Sequence, residues 1–412
     1  MNVETANFKL RNHCHVKTNE EGDRFVGIKA DSNGVRVNFP IGYDLPKDED
    51  ELRRDIRNLF QVLSLFSTKE DRLIHSNKFK KSKEVEFPIQ AYLNVINYYL
   101  DHNGNYYIER ETEHKISNRG KTDWARTIKT QRPLIYNNSF VYMDEVVRVS
   151  KPDLNRLITK INKYCVYESF QRLGWLYSSN RPEKSDISFS KNLFLSVLNA
   201  KLSNTNNDVD KQLFKSMIAM INYQDQETSN REFYFGTDKF EHVWERLIDV
   251  WFGEKNKKAY FPHGVWTERY GPNKNRKSSA LEPDSIMIYD DKYYVIDSKY
   301  YRYGTLSEFQ TESLPCSSDI NKQITYGEYV HDKLERRKEV FNAFVMPFNK
   351  NNNIFNVDKW CLNVVEGTGE WLSNPESYQK VQGIVIDTRY LMKNYYENHE
   401  KDKGILGLEI EN

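Results

Sequence analysis

Cysteines are few in this sequence, and none has the spacing of a metal site or a disulfide framework. The four are scattered, at Cys14, Cys165, Cys316 and Cys361. Structural zinc sites need closely spaced ligand pairs, and His13-Cys14-His15 has no second pair nearby. We therefore interpret that triplet as surface sequence, and we exclude a zinc ribbon and a disulfide scaffold.

Long apolar runs are also missing. No stretch approaches the roughly 20 apolar residues that a membrane-spanning helix requires, and the N-terminus shows neither a basic leader nor an apolar segment. The formal net charge is only +1, so any binding of nucleic acid would depend on local clusters of Lys and Arg. We expect a cytoplasmic protein with no membrane contact.

The composition nevertheless supplies apolar surface for more than one core, since aromatic residues make up 14% of 412 residues. Domains of roughly 100 to 200 residues predict two or three of them. We place them at residues 1–105, 106–230 and 231–412. The last boundary follows a polar run, residues 225–230, which has no periodicity.

The first region predicts an α+β fold. Apolar and polar residues alternate over residues 25–28 and 35–39, and Asn33-Gly34 between them is typical of a hairpin turn. Residues 48–66 form one apolar helical stripe, and a second helix is expected over residues 88–100. The middle region combines a polar, basic loop over residues 106–132 with helices. Those helices are expected over residues 154–173, 193–202 and 209–223.

The third region alternates helices with strands, which predicts the α/β fold class. A helix over residues 239–252 has an apolar stripe, and Asp238 with Glu241 forms a candidate capping box at its start. Two strands follow, at residues 285–289 and 293–300, joined at Asp290-Asp291. A helix over residues 320–337 and strands near residues 341–346 and 381–387 complete the pattern.

Three ionisable side chains are expected to meet on the paired strands. Asp297 and Lys299 are two residues apart and so share one face of a strand, and antiparallel pairing places Asp284 opposite Asp297. Two converging carboxylates suit Mg²⁺, for which we expect Asp284, Asp297, the Ser298 carbonyl and water as ligands. Lys299 would position or deprotonate the attacking water. This chemistry suits hydrolysis of a phosphodiester.

The pattern Pro283-Asp284 followed by Asp297-Ser298-Lys299 resembles the PD-(D/E)XK nuclease superfamily. The resemblance implies a central mixed sheet flanked by helices and cleavage of DNA with Mg²⁺ to leave 5′-phosphates. For an isolated Asp-x-Lys string the alternative is a surface salt bridge. The apolar strand, the preceding hairpin and the upstream helix favour the nuclease interpretation.

The superfamily often uses a glutamate of the first helix, and Glu241 and Glu245 are the candidates. We favour Glu245, because Glu241 has a capping role available; a solvated helix face is the alternative for both. Downstream, Gln323 and Tyr326 resemble a Gln and a Tyr that support the site in RecB-like and McrC-like nucleases. Their spacing is one residue shorter than the usual Gln-x-x-x-Tyr. That departure favours Gln323, for which a surface position is the alternative.

A closer resemblance, over most of the chain beyond its N-terminal part, is to LlaJI-type restriction endonucleases, relatives of McrC. It depends on residues 119–127, 244–245, 282–284, 297–301 and 384–387. It implies restriction of foreign double-stranded DNA, often with a separate McrB-like AAA+ GTPase that moves DNA. The sequence has no P-loop, so any such motor must be another subunit. A homodimer is a further expectation.

A basic segment is the second candidate site. Arg119, Lys121, Arg126 and Lys129 could neutralise backbone phosphates, and Trp124 could stack on a base or anchor the segment. A solvated loop held by one buried Trp is the first alternative, and contact with a partner subunit is the second.

Two other functions remain open from the sequence. A repair or transposition nuclease could use the same core, and cutting at specific modified or unmodified sites would separate it from a restriction enzyme. A non-catalytic DNA-binding scaffold is the other, although the intact Asp284, Asp297 and Lys299 argue against a decayed core.

Overall fold

A computed structural model describes most of the chain. The described residues are 9–16, 24–31, 34–72, 87–136, 139–177, 182–225, 233–271, 275–396 and 399–412. The chain divides into two units, one made of residues 1–86 and 230–412 and the other of residues 87–229. The sequence predicted three regions, the first of which, residues 1–105, combines residues 1–86 with residues 87–105 of the second unit. The functions expected of the three regions stay predictions.

The secondary structure of the described residues is mixed α/β. The strands are β1 (Cys14–His15), β2 (Val26–Asp31), β3 (Gly34–Asn38), β4 (Glu109–Ile116), β5 (Lys121–Thr122), β6 (Leu134–Tyr136), β7 (Ser139–Val141), β8 (Val146–Asp153), β9 (Phe233–Thr237), β10 (His263–Trp266), β11 (Arg276–Ala280), β12 (Ser285–Tyr289), β13 (Lys292–Ser298), β14 (Val340–Phe348), β15 (Cys361–Thr368) and β16 (Lys380–Asp387). The α-helices are α1 (Glu49–Phe66), α2 (Lys69–Arg72), α3 (Ile89–Asp101), α4 (Trp124–Thr130), α5 (Leu157–Leu173), α6 (Lys191–Asn204), α7 (Asp208–Asp225), α8 (Phe240–Phe252), α9 (Ser317–Lys333), α10 (Thr388–Asn394) and α11 (Glu400–Glu411).

A five-stranded mixed sheet forms the centre of the first unit, with strand order β12-β13-β14-β16-β15. The three inner strands are parallel, and β12 and β15 run antiparallel at the two edges. The turn between β12 and β13 has Asp290 and Asp291 at φ 49° and 62°. Positive φ at both positions is the type I′ geometry of a two-residue hairpin. This confirms the predicted antiparallel pairing.

Helices cover both faces of that sheet. On one face Val295 packs with Tyr326 and Val330 of α9, and on the other the hydroxyl of Tyr294 bonds to Glu411 of α11. The predicted apolar stripe of α8 is confirmed, since its members are buried. Helix α9 lies close to β14, because a Cβ on Gly327 would overlap the Asn342 side-chain amide and would lie 2.7 Å from the backbone carbonyl oxygen of Tyr378. A glycine is therefore needed for this approach, which fixes the height of α9 over the sheet.

The N-terminal segment packs onto this same unit. Its strands form a second sheet with order β1-β3-β2-β9, in which β9 follows residue 230. Asp55 of α1 is fully buried, and it accepts from Arg389 at 2.7 Å and lies 3.1 Å from Lys393, both on α10. Removing one partner of such a buried ion group would leave an uncompensated charge, so the group ties α1 to α10. Sequence periodicity alone cannot show this long-range pairing.

Within the described residues, the second unit contains the helices α3, α4, α5, α6 and α7, a three-stranded sheet with order β4-β8-β5, and the hairpin of β6 and β7. The helices predicted here are confirmed, with ends shifted by a few residues. The predicted loop over residues 106–132 is wrong, because β4 pairs along its whole length with β8 and the chain then forms α4. The polar side chains of β4 are exposed to solvent on both faces of the strand. A strand without a buried face has no alternation of apolar and polar residues, so the sequence does not predict it.

Two predicted helix starts also need correction. Lys239 precedes α8 without a side-chain cap, and its backbone N–H donates to the Thr237 hydroxyl at 3.0 Å. Asp238 and Glu241 therefore form no capping box. Helix α9 begins at Ser317, three residues before the predicted position, because Cys316 and Asp319 cap it.

The predicted hairpin of β2 and β3 is confirmed, while Asn33 of its turn lies outside the described residues. Among the described helices none combines the length and the apolar character needed to cross a bilayer.

Candidate active site

The C-terminal end of β13 brings the three predicted side chains together. Asp284 precedes β12, whose first residue, Ser285, pairs with Ile296, so Asp284 lies beside Asp297. Its Oδ2 accepts from the backbone N–H of Ser298 at 2.7 Å. Asp297 and Ser298 are each 5% exposed. Two acidic side chains are thus held together at the edge of an apolar sheet.

Lys299 lies between two carboxylates rather than beside one. Its Nζ is 2.6 Å from Oδ2 of Asp297 and 3.0 Å from Oδ1 of Asp319. The Asp297 and Lys299 side chains are only 7% and 15% exposed. The alternative of a surface salt bridge is therefore wrong, because this ion pair is largely withdrawn from solvent.

Asp319 is the residue of this site that the sequence interpretation missed. It occupies the first turn of α9, where its Oδ2 also accepts from the backbone N–H of Cys316 at 3.1 Å. One carboxylate thus caps the helix and binds Lys299. The Cys316-x-x-Asp319 spacing ahead of an apolar stretch is the signal that could have located the helix start. Placing the start at residue 320 left Asp319 outside it.

Burial and mutual repulsion shift the protonation of these acids. Burial, with the neighbouring Asp297 charge, raises the pKa of Asp284 to about 7. Burial also raises the pKa of Glu245, to which Asp297 and Glu241 contribute as well. Burial lowers the pKa of Lys299, but Asp297 and Asp319 outweigh it, so the net pKa lies well above the ordinary value. Lys299 therefore stays protonated at neutral pH.

Glu245 and Glu241 both line an open cleft of about 700 Å³ whose walls also include Ser298 and Lys299. Of the two, Glu245 is electrostatically coupled to Asp284 and Asp297. The capping argument against Glu241 does not hold, since no capping box forms. Because Glu241 and Glu245 line the same cleft, position alone does not separate them. The preference for Glu245 depends on its electrostatic coupling to Asp284 and Asp297.

Gln323 is buried, at 1% exposure, and not on the surface. Its Nε2 donates to the backbone carbonyl of Val295 at 2.7 Å. The amide thus joins α9 to β13 two residues before Asp297. Tyr326, one turn further along α9, packs on Val295 in the core. Gln323 supports the strand that carries the acids, and the surface alternative for it is wrong.

The basic segment lies in the second unit. Arg119 is in the turn after β4, Lys121 is in β5, and Trp124, Arg126 and Lys129 are on α4. Trp124 is 54% exposed, so the alternative of a loop held by one buried Trp is wrong. The segment is instead anchored by Asp123, which is buried, accepts from the Arg126 backbone N–H at 3.2 Å and pairs with Arg148 at 2.9 Å. Its basic side chains and Trp124 face solvent.

No group of three or more His, Cys, Asp or Glu side chains within the described ranges is arranged as a ready-made metal cage. The predicted Mg²⁺ ligands are two carboxylates and one backbone carbonyl, at Asp284, Asp297 and Ser298. Mg²⁺ commonly takes only one or two protein carboxylates and keeps waters or substrate phosphate oxygens.

Comparison with known proteins assigns the chain to one protein family. The model of the LlaJI restriction endonuclease family matches residues 25–364, and the chain belongs to that family. A curated relative is the Type II restriction enzyme BsuMI component YdjA of Bacillus subtilis (strain 168), which is 28% identical over 267 residues. The match covers 61% of this chain and 57% of that relative, so the chain spans little more than half the relative's length.

Two solved structures are also similar. One contains McrB AAA+ hexamers of Thermococcus gammatolerans with bound McrC, with 16% identity and a TM-score of 0.38 over 94% of this chain and 82% of that one. The other is the McrBC complex of the same organism, with 16% identity and a TM-score of 0.23 over 55% and 65%.

Proposed function

We propose that this chain hydrolyses phosphodiester bonds of double-stranded DNA with Mg²⁺, as the cutting subunit of a restriction system, from a PD-(D/E)XK core. The observation that carries the proposal is the convergence of Asp284, Asp297 and Lys299 at one end of β13, where the Asp297 and Lys299 side chains are largely withdrawn from solvent. Withdrawing ionisable groups from water costs free energy, and carboxylates with perturbed pKa values beside a cleft are the groups expected of a functional site. Membership of the LlaJI family supports DNA as the substrate.

The charges of the site fit a divalent cation. Repulsion by Asp297 helps to raise the pKa of Asp284 and the pKa of Glu245. Glu245 in turn helps to raise the pKa of Asp284. A cation between the two aspartates would relieve that repulsion. Asp284 and Asp297 would hold Mg²⁺ together with the Ser298 carbonyl. Bound there, the ion would lower the pKa of a water and stabilise charge on the phosphate.

The chain's own residues would perform the remaining tasks. Lys299 keeps its proton at neutral pH, so it acts as a positioned cation for the phosphate or the attacking water and not as the general base. Asp319 holds the Lys299 ammonium from the side opposite Asp297. Glu245, whose pKa is raised, is placed to exchange a proton with water in the cleft. Gln323 keeps β13 and α9 in register.

The partners of the reaction are also proposals. Exposed cations of the basic segment, Arg119, Lys121, Arg126 and Lys129, are suited to DNA phosphates, and the exposed Trp124 to a base or a partner subunit. An McrB-like AAA+ GTPase would supply DNA movement, because the sequence has no P-loop of its own. A second copy of this chain would allow both strands to be cut. We expect the protein to act in the cytoplasm, where foreign DNA arrives.

The experiment that tests the proposal compares Asp297→Asn with Asp290→Asn. Asp290 lies in the exposed β12–β13 turn at φ 49°, a conformation that asparagine tolerates, so its substitution removes a charge without touching the site. We expect the wild type and Asp290→Asn to cut phage DNA with Mg²⁺ and Asp297→Asn to be inactive but folded. Cleavage by Asp297→Asn would overturn the assignment.

A further inference from the structure

A two-stranded ribbon stands immediately before the candidate active site in the sequence. Strand β10 pairs antiparallel with β11 in a sheet of its own. The backbone N–H of Leu281 donates to the carbonyl of Pro262 at 2.8 Å and closes the base of the ribbon. Nearly every residue of the two strands is exposed. The ribbon therefore buries few side chains of its own. Because isolated two-stranded ribbons are marginally stable in water, a bound ligand would stabilise it.

Each face of the ribbon combines a cation with an apolar side chain. Trp266 pairs with Arg276, and Val265 pairs with Lys277. Directly paired residues of antiparallel strands point to the same face, so the first pair and the second pair lie on opposite faces. Trp266 is 73% exposed and Val265 is 56% exposed. A ligand that encloses the ribbon would therefore meet the same chemistry on both sides.

The charge of the ribbon is strongly positive in a nearly neutral chain. Residues 263–280 include four Lys or Arg residues and one acidic residue, whereas the whole chain has a net charge of +1. Within the described ranges Arg276 and Lys277 form no ion pair, in contrast to Lys257 and Lys299, which are paired. Both side chains can therefore bind an anionic ligand. Because they lie on opposite faces of the ribbon, one ligand that contacts both must be much larger than a single carboxylate.

The position of the ribbon matches a substrate that extends beyond the site. Leu281 at its base is three residues from Asp284. At roughly 3.3 Å per residue, the strand from Leu281 to Arg276 reaches roughly 17 Å, or about five base pairs of duplex. The major groove is about 12 Å wide and accepts a two-stranded ribbon with both faces covered. A basic and an apolar side chain on each face fit that environment.

We propose that the β10–β11 ribbon binds the duplex beside the scissile phosphate, with Arg276 and Lys277 on backbone phosphates and Trp266 against the groove. The inference rests on the proposed function, because it needs DNA to be the substrate of the adjacent site. Charge favours DNA over a protein partner, since the core of a protein interface is depleted of charged residues, whereas each face of this ribbon has a cation that forms no ion pair within the described ranges.

The test measures the salt dependence of DNA binding by a chain that carries Asp297→Asn, which prevents cutting. A fluorescent duplex of about 40 base pairs is titrated from roughly 50 to 300 mM NaCl. In that background, Arg276→Ala with Lys277→Ala should weaken binding about tenfold and reduce the slope of log affinity against log salt by roughly two, since two phosphate contacts are lost. Trp266→Ala should weaken binding without changing the slope, because no charge is removed.

The matched control is Arg336→Ala with Arg337→Ala, which removes two exposed cations just beyond the C-terminal end of α9. Helix α9 runs from Ser317 to Lys333, so its C-terminal end lies roughly 21 Å from Asp319. The control should keep the wild-type slope. An unchanged slope in the ribbon variant would overturn the inference, and so would a change in its oligomeric mass with normal DNA binding, which would indicate a protein interface.

Failure of the proposed function would look different. If the wild type cuts no DNA with Mg²⁺ although the ribbon variant lowers the salt slope, the ribbon assignment stands and the nuclease assignment falls. If the wild type cuts DNA and the slope does not change, only the ribbon assignment falls. A chain that neither binds nor cuts DNA would overturn both.

Discussion

The Nζ atom of Lys299 lies 3.0 Å from the carboxylate of Asp319, and the same carboxylate accepts from the backbone N–H of Cys316, the residue that caps α9. The position of Lys299 is thus determined by the start of a helix that is separate from its own strand. Asp297, on the other side, lies 2.6 Å from Nζ. A lysine fixed between two carboxylates keeps its charge and has little freedom to move.

We predict that Asp319→Asn reduces cleavage by about 10- to 100-fold, the cost of displacing a reacting group by an ångström. Asparagine keeps an oxygen that can accept from Cys316 but lacks the charge that holds Lys299. The fold should therefore be retained. Single-turnover cleavage measures the effect, and the melting temperature checks the helix cap. Full activity in Asp319→Asn would show that Asp297 alone positions the lysine.

The local pattern of the sequence predicted the centre of this site. Alternation along β13 correctly placed Asp297 and Lys299 on one face, and the two-residue turn correctly set the register that brings Asp284 beside them. These features depend on neighbouring residues and on the strand period of two. Their catalytic roles stay predictions.

Contacts between distant parts of the chain could not be predicted from the sequence pattern. The contact of α1 with α10 through Asp55 joins residues more than 300 positions apart, and no periodicity signals it. Strand β15 was missed because its side chains are mostly half-buried without clean alternation. Polar β4 was interpreted as a loop because its side chains are mostly exposed, so it shows no apolar alternation. The capping box predicted for α8 is wrong because no side chain caps this helix, and the backbone N–H of the preceding Lys239 donates to Thr237.

A second prediction concerns pH and metal. Folding raises the pKa of Asp284 to about 7, so the folded chain binds this proton more tightly than the unfolded chain. Without metal, the free energy of unfolding should therefore fall as pH rises from roughly 4 to roughly 7. Mg²⁺ competes with the proton, so its stabilising effect should grow over the same range. Melting curves with and without Mg²⁺ at about pH 5 and about pH 8 test this.

Asp284→Asn provides the control for that measurement. It cannot ionise, so its stability should lack this part of the pH dependence, and Mg²⁺ should raise its melting temperature little. Equal stabilisation of the variant and the wild type by Mg²⁺ at pH 8 would mean that the ion binds elsewhere.

A third prediction separates the two glutamates of α8. Glu245→Gln should lower cleavage by at least about tenfold, because a glutamine cannot exchange a proton with water. Glu241→Gln is the matched control on the same helix and cleft wall, and it should stay within about threefold of the wild type, as a surface substitution does. The coupling of Glu245 to Asp284 and Asp297 is the physical reason for the difference. Cleavage rates across pH measure it, and the opposite order of effects would assign the role to Glu241.

The last prediction concerns Gln323, whose amide donates to the buried carbonyl of Val295 at 2.7 Å. Gln323→Met keeps the volume but leaves that carbonyl without its partner, which costs about 1 to 3 kcal/mol of stability. Cleavage should fall as well, because Val295 is two residues before Asp297 on β13 and the strand would lose its link to α9. Chemical denaturation and cleavage assays measure the two effects. Asn321→Ala, at an exposed position of the same helix, should change neither. A fully stable and active Gln323→Met would show that apolar packing alone holds α9 in register with the strand.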